Sequence, residues 1–321
     1  MTRRFFRIPA IPAAATAVAL LAAGCASATG PSPASVEKPD LTVAVVPAAD
    51  SAGVYIAQQD GLFRQQGLKI KIVPAISSAT VIQDQVAGKF DITDGNYVSY
   101  IEANAKQNAN LEIFAAGSIM QPRCQEIMVM PNSPIKNVAD LKGKTIAVNV
   151  PNNIGTLLVG ALLRDNGMNV HEVHLKVIDF PFMAAALRDH QVDAAWMPEP
   201  FVTGAEESVG AVPLADLDAG ATQSLPIAGY VVTKTWARKY PKTLAAFERA
   251  LTQAQRIADT DPHAVEQAMV AYSGVPKTAA AVMASPTFPL DTDSVLIQRI
   301  ANLMVQFNLI QQPYNVKEMI G

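Results

Sequence analysis

The sequence is short of the residue types that hold small or metal-dependent folds together. Its 321 residues include only two cysteines, which excludes a disulfide scaffold and a four-cysteine zinc site, so stability has to come from packing. Aromatic residues make up 6% of the chain and charged residues 17%. With 25 basic against 28 acidic residues, the net charge of -3 leaves no basic surplus of the kind that binds nucleic acid.

Apolar residues and chain-breaking residues are plentiful. Half of the residues are hydrophobic, and 22 prolines and 18 glycines provide many positions where helices and strands can end. At about 150 residues per domain, this length predicts two domains, each with a sizeable core.

The first residues have the composition of an export signal. Three arginines precede an apolar stretch, residues 8–23, that ends in small residues before Cys25. The stretch is too short and too rich in alanine for a membrane span, which needs about 20 strongly apolar residues. The residues before Cys25 resemble the lipobox of bacterial lipoproteins. We therefore expect an export signal at 1–24 and a lipid on Cys25.

Two alternatives concern this segment. A plain secretory signal with an incidental cysteine is one, and the residues TRRFF (2–6) also resemble a twin-arginine signal. Residues 26–40 are small, polar and proline-rich, so 25–40 is expected to be the lipidated cysteine followed by a flexible tether. The expected location is extracytoplasmic, on the outer face of the cytoplasmic membrane or in the periplasm.

From residue 41 onward, strand patterns alternate with helix patterns. Runs of β-branched or alternating apolar residues predict strands at 41–46, 68–73, 90–93, 144–150, 175–178, 194–197 and 230–233. Amphipathic runs between them predict helices, and the remainder from Pro241 is predicted to be wholly helical. Strands that alternate with helices form parallel sheets through right-handed crossovers, so the predicted fold class is α/β.

Several segments resemble a known family. In chain order they are GVYIAQQDGLF (53–63), QGL (66–68), VAGKFDI (86–92), VADLKGKTIAV (138–148), QVDAAW (191–196) and EPF (199–201). Their ordered succession, over residues 43–211, resembles the solute-binding proteins of ABC importers for nitrate, sulfonates and taurine. That group is related to the thiamine-pyrimidine precursor binding proteins.

The resemblance implies a two-lobed type II periplasmic-binding-protein fold. Each lobe would be a mainly parallel sheet flanked by helices, with a helical C-terminal tail. Lobe one would comprise 41–130 plus 226–321 and lobe two 131–225, with hinges near 126–132 and 222–230. Two crossing segments allow the lobes to close around a ligand.

The loops that follow the strands are the candidate ligand-binding loops, because open parallel sheets bind ligands outside the carboxyl ends of their strands. Several of these loops open a helix with Ser, Thr or Asn, which leaves backbone N–H groups for an anionic group. Taken singly, each such residue is also typical of an ordinary helix cap. The candidate residues are Asp50, Ser51, Tyr55, Ser78, Thr80, Gly95, Asn96, Tyr97, Asn153, Gly155, Thr156, Phe182, Trp196, Glu199 and Phe201.

These loops contain no arginine, which a strongly anionic ligand would favour. They contain Asp50, Asp94 and Glu199 and several aromatic residues, of which Trp196 is the strongest candidate for ligand contact. Buried carboxylates need a partner such as a ligand amine or a ring N–H, and aromatic rings suit stacking or a cation. The sequence therefore favours a zwitterionic or heteroaromatic solute, although Asp50 could equally cap a helix, and Phe182 or Phe201 could equally be core.

No motif for catalysis, nucleotide or metal is complete. Gly143-Lys144-Thr145 lacks the first glycine of a phosphate loop, because residue 138 is Val. His171-Glu172-Val173-His174 lacks the spacing of a zinc protease helix, there is no nucleophile elbow, and Cys124 lies in no reactive-thiol motif. We expect no catalytic residue, no metal and no cofactor.

The resemblance and the export signal together predict an extracytoplasmic solute-binding lipoprotein without catalysis of its own. Its expected partners are a small solute, the permease subunits of an ABC importer with their cytoplasmic ATPase, and the membrane through the lipid. It is expected to be a monomer. The alternatives are a binder of a thiamine pyrimidine or another heteroaromatic precursor, and a solute-sensing receptor. The related pyrimidine synthases carry a cysteine-rich motif and a catalytic histidine, and this chain has only Cys124 beyond the predicted anchor.

Overall fold

The computed structural model describes residue 2 and residues 35–321, so the rest of the predicted signal, Cys25 and the first part of the tether lie outside the described residues. Within them the strands are β1 (Asp40–Val45), β2 (Lys69–Pro74), β3 (Ile92–Asn96), β4 (Leu111–Ile119), β5 (Gln125–Val129), β6 (Thr145–Val148), β7 (His174–Val177), β8 (Ala194–Pro198), β9 (Val212–Asp216) and β10 (Pro226–Thr233). The α-helices are α1 (Ala52–Gln59), α2 (Leu62–Gln65), α3 (Ser78–Val86), α4 (Tyr97–Gln107), α5 (Ile154–Asp165), α6 (Phe180–Arg188), α7 (Phe201–Val209), α8 (Lys234–Lys239), α9 (Pro241–Thr260), α10 (Pro262–Tyr272), α11 (Lys277–Ala280) and α12 (Ser294–Gln306). None of these helices is both long and apolar enough to cross a membrane.

The first sheet has the strand order β2-β1-β3-β10-β4. β1 is parallel to β2 and to β3, as the alternation of strands and helices predicts. β10 is antiparallel to both of its neighbours, β3 and β4. The sheet is mainly but not wholly parallel. The chain enters β10 from the segment that crosses over from the second sheet, and no helical crossover connects β10 to a parallel neighbour.

The second sheet repeats this plan with the strand order β7-β6-β8-β5-β9. β6 is parallel to β7 and β8, whereas β5 is antiparallel to β8 and β9. The chain therefore crosses from the first sheet to the second between β4 and β5, and returns between β9 and β10. The sequence patterns do not predict β4, β5 or β9.

The C-terminal region is largely helical and packs on the first sheet. Phe247 of α9 packs against Phe63 of α2 with the two rings tilted, and 4.7 Å separates the ring centroids. The region also adds two isolated β-bridges to β4, from Thr287 to Ile119 and from Ile320 to Ile113. The tail is therefore not wholly helical, because extended residues after α11 and at the C-terminus pair with the edge of the sheet.

Residues that precede β1 are already hydrogen-bonded to α9. The Glu37 carboxylate accepts hydrogen bonds from the backbone N–H groups of Lys242 (3.1 Å) and Thr243 (2.8 Å), in the first turn of α9. The Lys38 N–H donates to the Thr243 hydroxyl at 3.0 Å. A carboxylate at a helix N-terminus is favourable because it satisfies unpaired N–H groups and meets the positive end of the helix dipole. Glu37 and Lys38, which belong to the predicted flexible tether, are therefore held against α9.

The start of α5 packs closely against Trp196 of β8 because residue 155 is a glycine. A Cβ atom on Gly155 would lie 2.2 Å from Cε3 of Trp196 and 2.4 Å from Cζ3. The indole of Trp196 is only 2% exposed. Any side chain at position 155 therefore displaces either the helix or the indole.

We expect Gly155→Ala to lower the free energy of unfolding by about 1–3 kcal/mol, the usual cost of overpacking a core, as measured by urea denaturation. Gly204→Ala is the matched control, since Gly204 also lies inside a helix, α7, and a Cβ there meets no atom within 4 Å. Alanine is preferred over glycine in a helix by roughly 0.5–1 kcal/mol, so the control should be neutral or stabilising. Equal losses in both variants would contradict the role of the Trp196 contact.

Candidate functional site

A cavity of about 40 Å³ lies between the two sheets, and we refer to it as the cleft. Its lining residues come from both sheets and are Val46, Ala48, Asp50, Ser51, Ser77, Gly95, Asn96, Gln125, Asn149, Asn153, Ile154, Phe180, Trp196, Pro198, Ile227 and Ala228. A cavity of this size has room for a few water molecules. An organic solute therefore requires the two sides to separate.

The cleft lies where strand order reverses in each sheet. β1 is followed in sequence by β2 on one side, and β3 pairs on its other side. β6 stands between β7 and β8 in the same way. Most lining residues belong to the carboxyl ends of these strands or to the loops that follow them. Such a position leaves a crevice between diverging loops, which is where open α/β sheets bind ligands.

Three helices begin at the cleft, and each is capped by a lining residue. Ser77 precedes α3, and its side chain accepts a hydrogen bond from the Ala79 N–H at 3.1 Å. Asn96 caps α4 in the same way, at 2.9 Å from the Ser99 nitrogen, and Asn153 caps α5. Helix N-termini carry a partial positive charge and unpaired N–H groups. Together they make the cleft favourable for an anionic group.

The aromatic wall of the cleft is fixed by packing and by one hydrogen bond. The Trp196 Nε1–H donates to Gln125 Oε1 at 3.0 Å. The ring of Phe180 meets the Trp196 indole edge-on, with 5.3 Å between ring centroids. Both rings line the cleft, so a solute would meet a rigid aromatic surface.

Asp50 is the only ionisable side chain among the lining residues, and none of them is basic. The Ser118 hydroxyl donates to Asp50 Oδ1 at 3.0 Å, and Gln125 Nε2 lies 3.5 Å from Oδ2. Burial raises the pKa of Asp50 to about 6, and the hydrogen bond from Ser118 opposes the rise. Because no cation of the protein lines the cleft beside it, a cationic group of a solute can serve as its counterion.

Six of the residues selected from the sequence line the cleft, namely Asp50, Ser51, Gly95, Asn96, Asn153 and Trp196. Four others are buried but do not line the cleft, namely Tyr55, Ser78, Tyr97 and Gly155. Ser78 supports the wall directly, since its Oγ accepts a hydrogen bond from Asn96 Nδ2 at 3.1 Å. Tyr55 stacks on Tyr272, with 4.3 Å between ring centroids, and faces the core.

Three selected residues lie away from the cleft. Phe182 is 64% exposed on α6, whereas Phe180, two residues earlier, lines the cleft. Thr80 is exposed, and its hydroxyl donates to the Ser77 carbonyl at 2.7 Å. Thr156 lines a separate groove between α5 and the end of α12.

Glu199 and Phe201 hold the structure beside the cleft and do not line it. The buried Glu199 carboxylate accepts hydrogen bonds from the Thr203 hydroxyl (2.7 Å), the Thr203 N–H (3.1 Å) and the Ala284 N–H (3.1 Å). Phe201 stacks on Phe180, with 5.2 Å between ring centroids. Both positions therefore connect α7 to its neighbours.

Asn149 is a lining residue that sequence reasoning missed. It follows β6 and is 3% exposed, and its Nδ2 donates across the cleft to the Ile76 carbonyl at 3.2 Å. Its Oδ1 accepts a hydrogen bond from Asn153 Nδ2 at 2.8 Å. The predicted strand, 144–150, included Asn149, whereas β6 ends at Val148 and leaves Asn149 as the first residue of the loop. Gln125 was missed because the sequence patterns do not predict β5.

The described residues contain no group of three or more His, Cys, Asp or Glu side chains that could hold a metal ion. Cys124 is 3% exposed, and burial raises the pKa of its thiol well above the usual range. A thiol in this state is a poor nucleophile, since the thiolate is the reactive form.

The chain is similar to proteins named for binding sulfonates. An Escherichia coli (strain K12) protein named for binding aliphatic sulfonates is 26% identical over 288 residues, 84% of this chain and 85% of that protein. The taurine-binding periplasmic protein of the same organism is 27% identical over 247 residues, 74% of each. A Haemophilus influenzae protein named for thiamine biosynthesis is 28% identical over 146 residues. That match spans 45% of either chain, a little under half the length of this relative.

Solved structures share the fold. The alkanesulfonate-binding protein SsuA from Xanthomonas axonopodis pv. citri, bound to MOPS, has a TM-score of 0.76 and 19% identity, over 89% of this chain and 99% of that chain. The desulfurization enzyme DSZB has a TM-score of 0.68 and 19% identity, over 88% of this chain and 96% of that chain. The two-lobed α/β fold is thus shared with a binding protein and with an enzyme, so the fold alone does not separate the two activities.

The NMT1/THI5-like family model matches residues 48–265, more than half of the 321 residues. The matched region contains all but one of the residues that line the cleft. The chain therefore belongs to the NMT1/THI5-like family.

Proposed function

We propose that this protein is an extracytoplasmic solute-binding protein that captures a small organic solute in the cleft and delivers it to an ABC importer. The observation that carries the proposal is the cleft itself, where three helix N-termini, two aromatic rings and one carboxylate meet between two sheets. The similarity to sulfonate- and taurine-binding proteins supports the same class. Closure of two lobes around a solute is the motion that two crossing segments permit.

The solute that fits best is a small zwitterion with a sulfonate or similar anionic end and an ammonium group. The helix N-termini would receive the anionic end, each contributing about 0.3–1 kcal/mol, or up to about 2 kcal/mol when partly buried. Asp50 would pair with the ammonium group, and Trp196 and Phe180 would pack against the carbon chain. Taurine is the simplest molecule with these properties.

A heteroaromatic precursor of the thiamine-pyrimidine type is the second candidate. The edge-to-face pair of Trp196 and Phe180 offers a stacking surface, and Asp50 can accept a ring N–H. The family match and the Haemophilus influenzae relative named for thiamine biosynthesis favour this candidate.

The remaining parts of the proposal concern assembly. We propose that a lipid on Cys25 anchors the protein, that it works as a monomer without catalysis, and that a permease with its cytoplasmic ATPase receives the solute. For the lobes predicted at 41–130 plus 226–321 and at 131–225, we propose one shift: β5 (Gln125–Val129) pairs with β8 and β9 and therefore belongs to lobe two. The proposed hinges are the two crossings, between β4 and β5 and between β9 and β10, so the first lies before the predicted 126–132. A sensing role in place of delivery is the alternative, and permease and ATPase genes beside this one would favour transport.

The solute classes can be separated by isothermal titration calorimetry. The panel is taurine, ethanesulfonate, nitrate, a thiamine pyrimidine and riboflavin, and we expect micromolar binding of taurine, about -8 kcal/mol. We expect Asp50→Asn to weaken taurine binding at least about tenfold, since losing one partner of a buried charge pair costs roughly 2–5 kcal/mol. Ethanesulfonate, which has no ammonium group, should bind no worse to the variant. Equal losses for both solutes, or no heat with any of them, would contradict the proposal.

The same pairing predicts a pH dependence. Because the pKa of Asp50 in the fold is raised to about 6, the carboxylate that meets the ammonium group is lost as the pH falls through that value. Taurine affinity in the wild type should therefore drop between about pH 7.5 and about pH 5, whereas in Asp50→Asn it should stay flat. A flat profile in the wild type would remove Asp50 from solute recognition.

Closure can be tested at Asn149. Asn149→Asp keeps the acceptor for Asn153 but replaces the donor to the Ile76 carbonyl by a negative oxygen, which repels it. We expect a larger radius of gyration in small-angle X-ray scattering and faster release of taurine, with an affinity loss of about 1–3 kcal/mol. Asn166→Asp, an exposed change of the same charge at the end of α5, is the control. Unchanged scattering in Asn149→Asp would show that this contact does not hold the cleft closed.

A further inference from the structure

A second carboxyl group lies directly beneath the cleft. Asp94 of β3 precedes the lining residues Gly95 and Asn96, and its exposed fraction is 0%. Neither of its carboxyl oxygens accepts a hydrogen bond from the described residues. Because the side chain is fully enclosed, an ionised Asp94 would be a buried charge without a counterion.

The neighbours of Asp94 are apolar groups, phenols and another acid. Tyr230 of β10 is its register partner across the antiparallel ladder, so the two side chains lie on the same face of the sheet with their Cβ atoms about 4.5–5.5 Å apart. Tyr55 of α1 belongs to the same buried cluster as Tyr230, and the hydroxyls of both tyrosines are also without partners.

Among residues 35–321, no cation faces Asp94 from a neighbouring element. The ionisable groups around it are Asp50 from the loop after β1, Tyr55 from α1, Tyr97 and Tyr100 from α4, and Tyr230 from β10. The Ser51 hydroxyl is nearby, and β1 presents apolar side chains. Carboxyl and phenol groups are neutral when protonated and negative when ionised, so none of these groups can supply a positive charge. A proton on Asp94 is therefore the available means of avoiding an uncompensated buried charge.

We propose that Asp94 is held protonated, so that Asp50 and Asp94 together carry a single negative charge, borne by Asp50 at the surface of the cleft. Asp94 is then a positioning residue that limits the charge of the site. A second carboxylate would oppose the three helix N-termini and repel the anionic end of a solute. With one charge, the cleft matches a solute with one cationic and one anionic group. This last step rests on the function proposed above, whereas the protonation of Asp94 does not.

Protonation of Asp94 has a definite sign in the pH dependence of stability. Burial raises the pKa of Asp94 well above its usual value. Its pKa in the unfolded chain is about 4, so between that value and the folded pKa the native state binds more protons than the unfolded state. The contribution of Asp94 to stability is therefore complete below about pH 4 and is lost as the pH rises towards the folded pKa.

The test uses Asp94→Asn without any solute. Infrared spectra at about pH 8, where Asp50 is ionised, should show a carboxylic acid C=O band that is missing from Asp94→Asn. In urea titrations, the fall of the unfolding midpoint between about pH 5 and about pH 8 should be smaller in Asp94→Asn than in the wild type. Asp60→Asn, at an exposed position just after α1, is the control and should behave as the wild type in both measurements.

Two results would overturn the assignment. One is an infrared spectrum of Asp94→Asn that shows the same carboxylic acid C=O absorption as the wild type. The other is a large drop of the urea midpoint in Asp94→Asn at about pH 8, as expected if an ionised Asp94 made contacts that the amide cannot make.

A calorimetric arm tests the consequence for solute choice. The preference for taurine over ethanesulfonate should collapse in Asp50→Asn and persist in Asp94→Asn, because only Asp50 bears charge. An equal collapse in Asp94→Asn would overturn the assignment of a single negative charge to the two residues. If taurine gives no heat with the wild type while the infrared and urea results are as expected, the solute assignment falls and the protonated Asp94 stands.

Discussion

The central physical constraint is that very few charges lie in the cleft, from which water is nearly excluded. Three helix N-termini supply partial positive charge to the cleft, and Asp50 supplies one negative charge. In a low-dielectric space both act more strongly than they would at the surface. A solute with two opposite ends satisfies both, whereas a simple anion satisfies the helices and leaves the carboxylate unpaired. In the function proposed above, the electrostatics of the site would therefore select a solute by the pattern of its charges more than by their number.

The crossing strands connect this electrostatic pattern to the fold. These crossing strands are β5 and β10, which follow the two crossings between the sheets. Both are antiparallel to the strands beside them, and both bring lining residues into the cleft. Gln125, the first residue of β5, donates from its amide nitrogen towards Asp50 and accepts at its amide oxygen from Trp196. One side chain on a crossing strand thus holds the carboxylate of one sheet and the aromatic wall of the other. A rotation of the sheets would change both contacts together.

The sequence predicted those parts of the site that depend on local structure. Asn96 and Asn153 were identifiable because a helix cap directly after a strand is a local pattern. Phe182 and Phe180 differ only in helical phase, since two residues advance about 200° around a helix, so α6 had to be located to within a residue to choose between them. Gln125 was beyond local reasoning, because β5 is identified by its pairing with β8 and β9 and not by its own periodicity.

With the lipid proposed on Cys25, the attachment of Glu37 to α9 would limit how far the body can travel from a membrane. Eleven residues, 26–36, separate it from Cys25. A fully extended chain spans at most about 3.5 Å per residue, so a lipid on Cys25 would keep the attachment point within roughly 40 Å of the bilayer surface. That distance is about the diameter of a globular body of this size, so the protein could turn over at its anchor but could not drift away from it. The cleft would then search for a permease by rotation within a thin layer, which raises its effective concentration there.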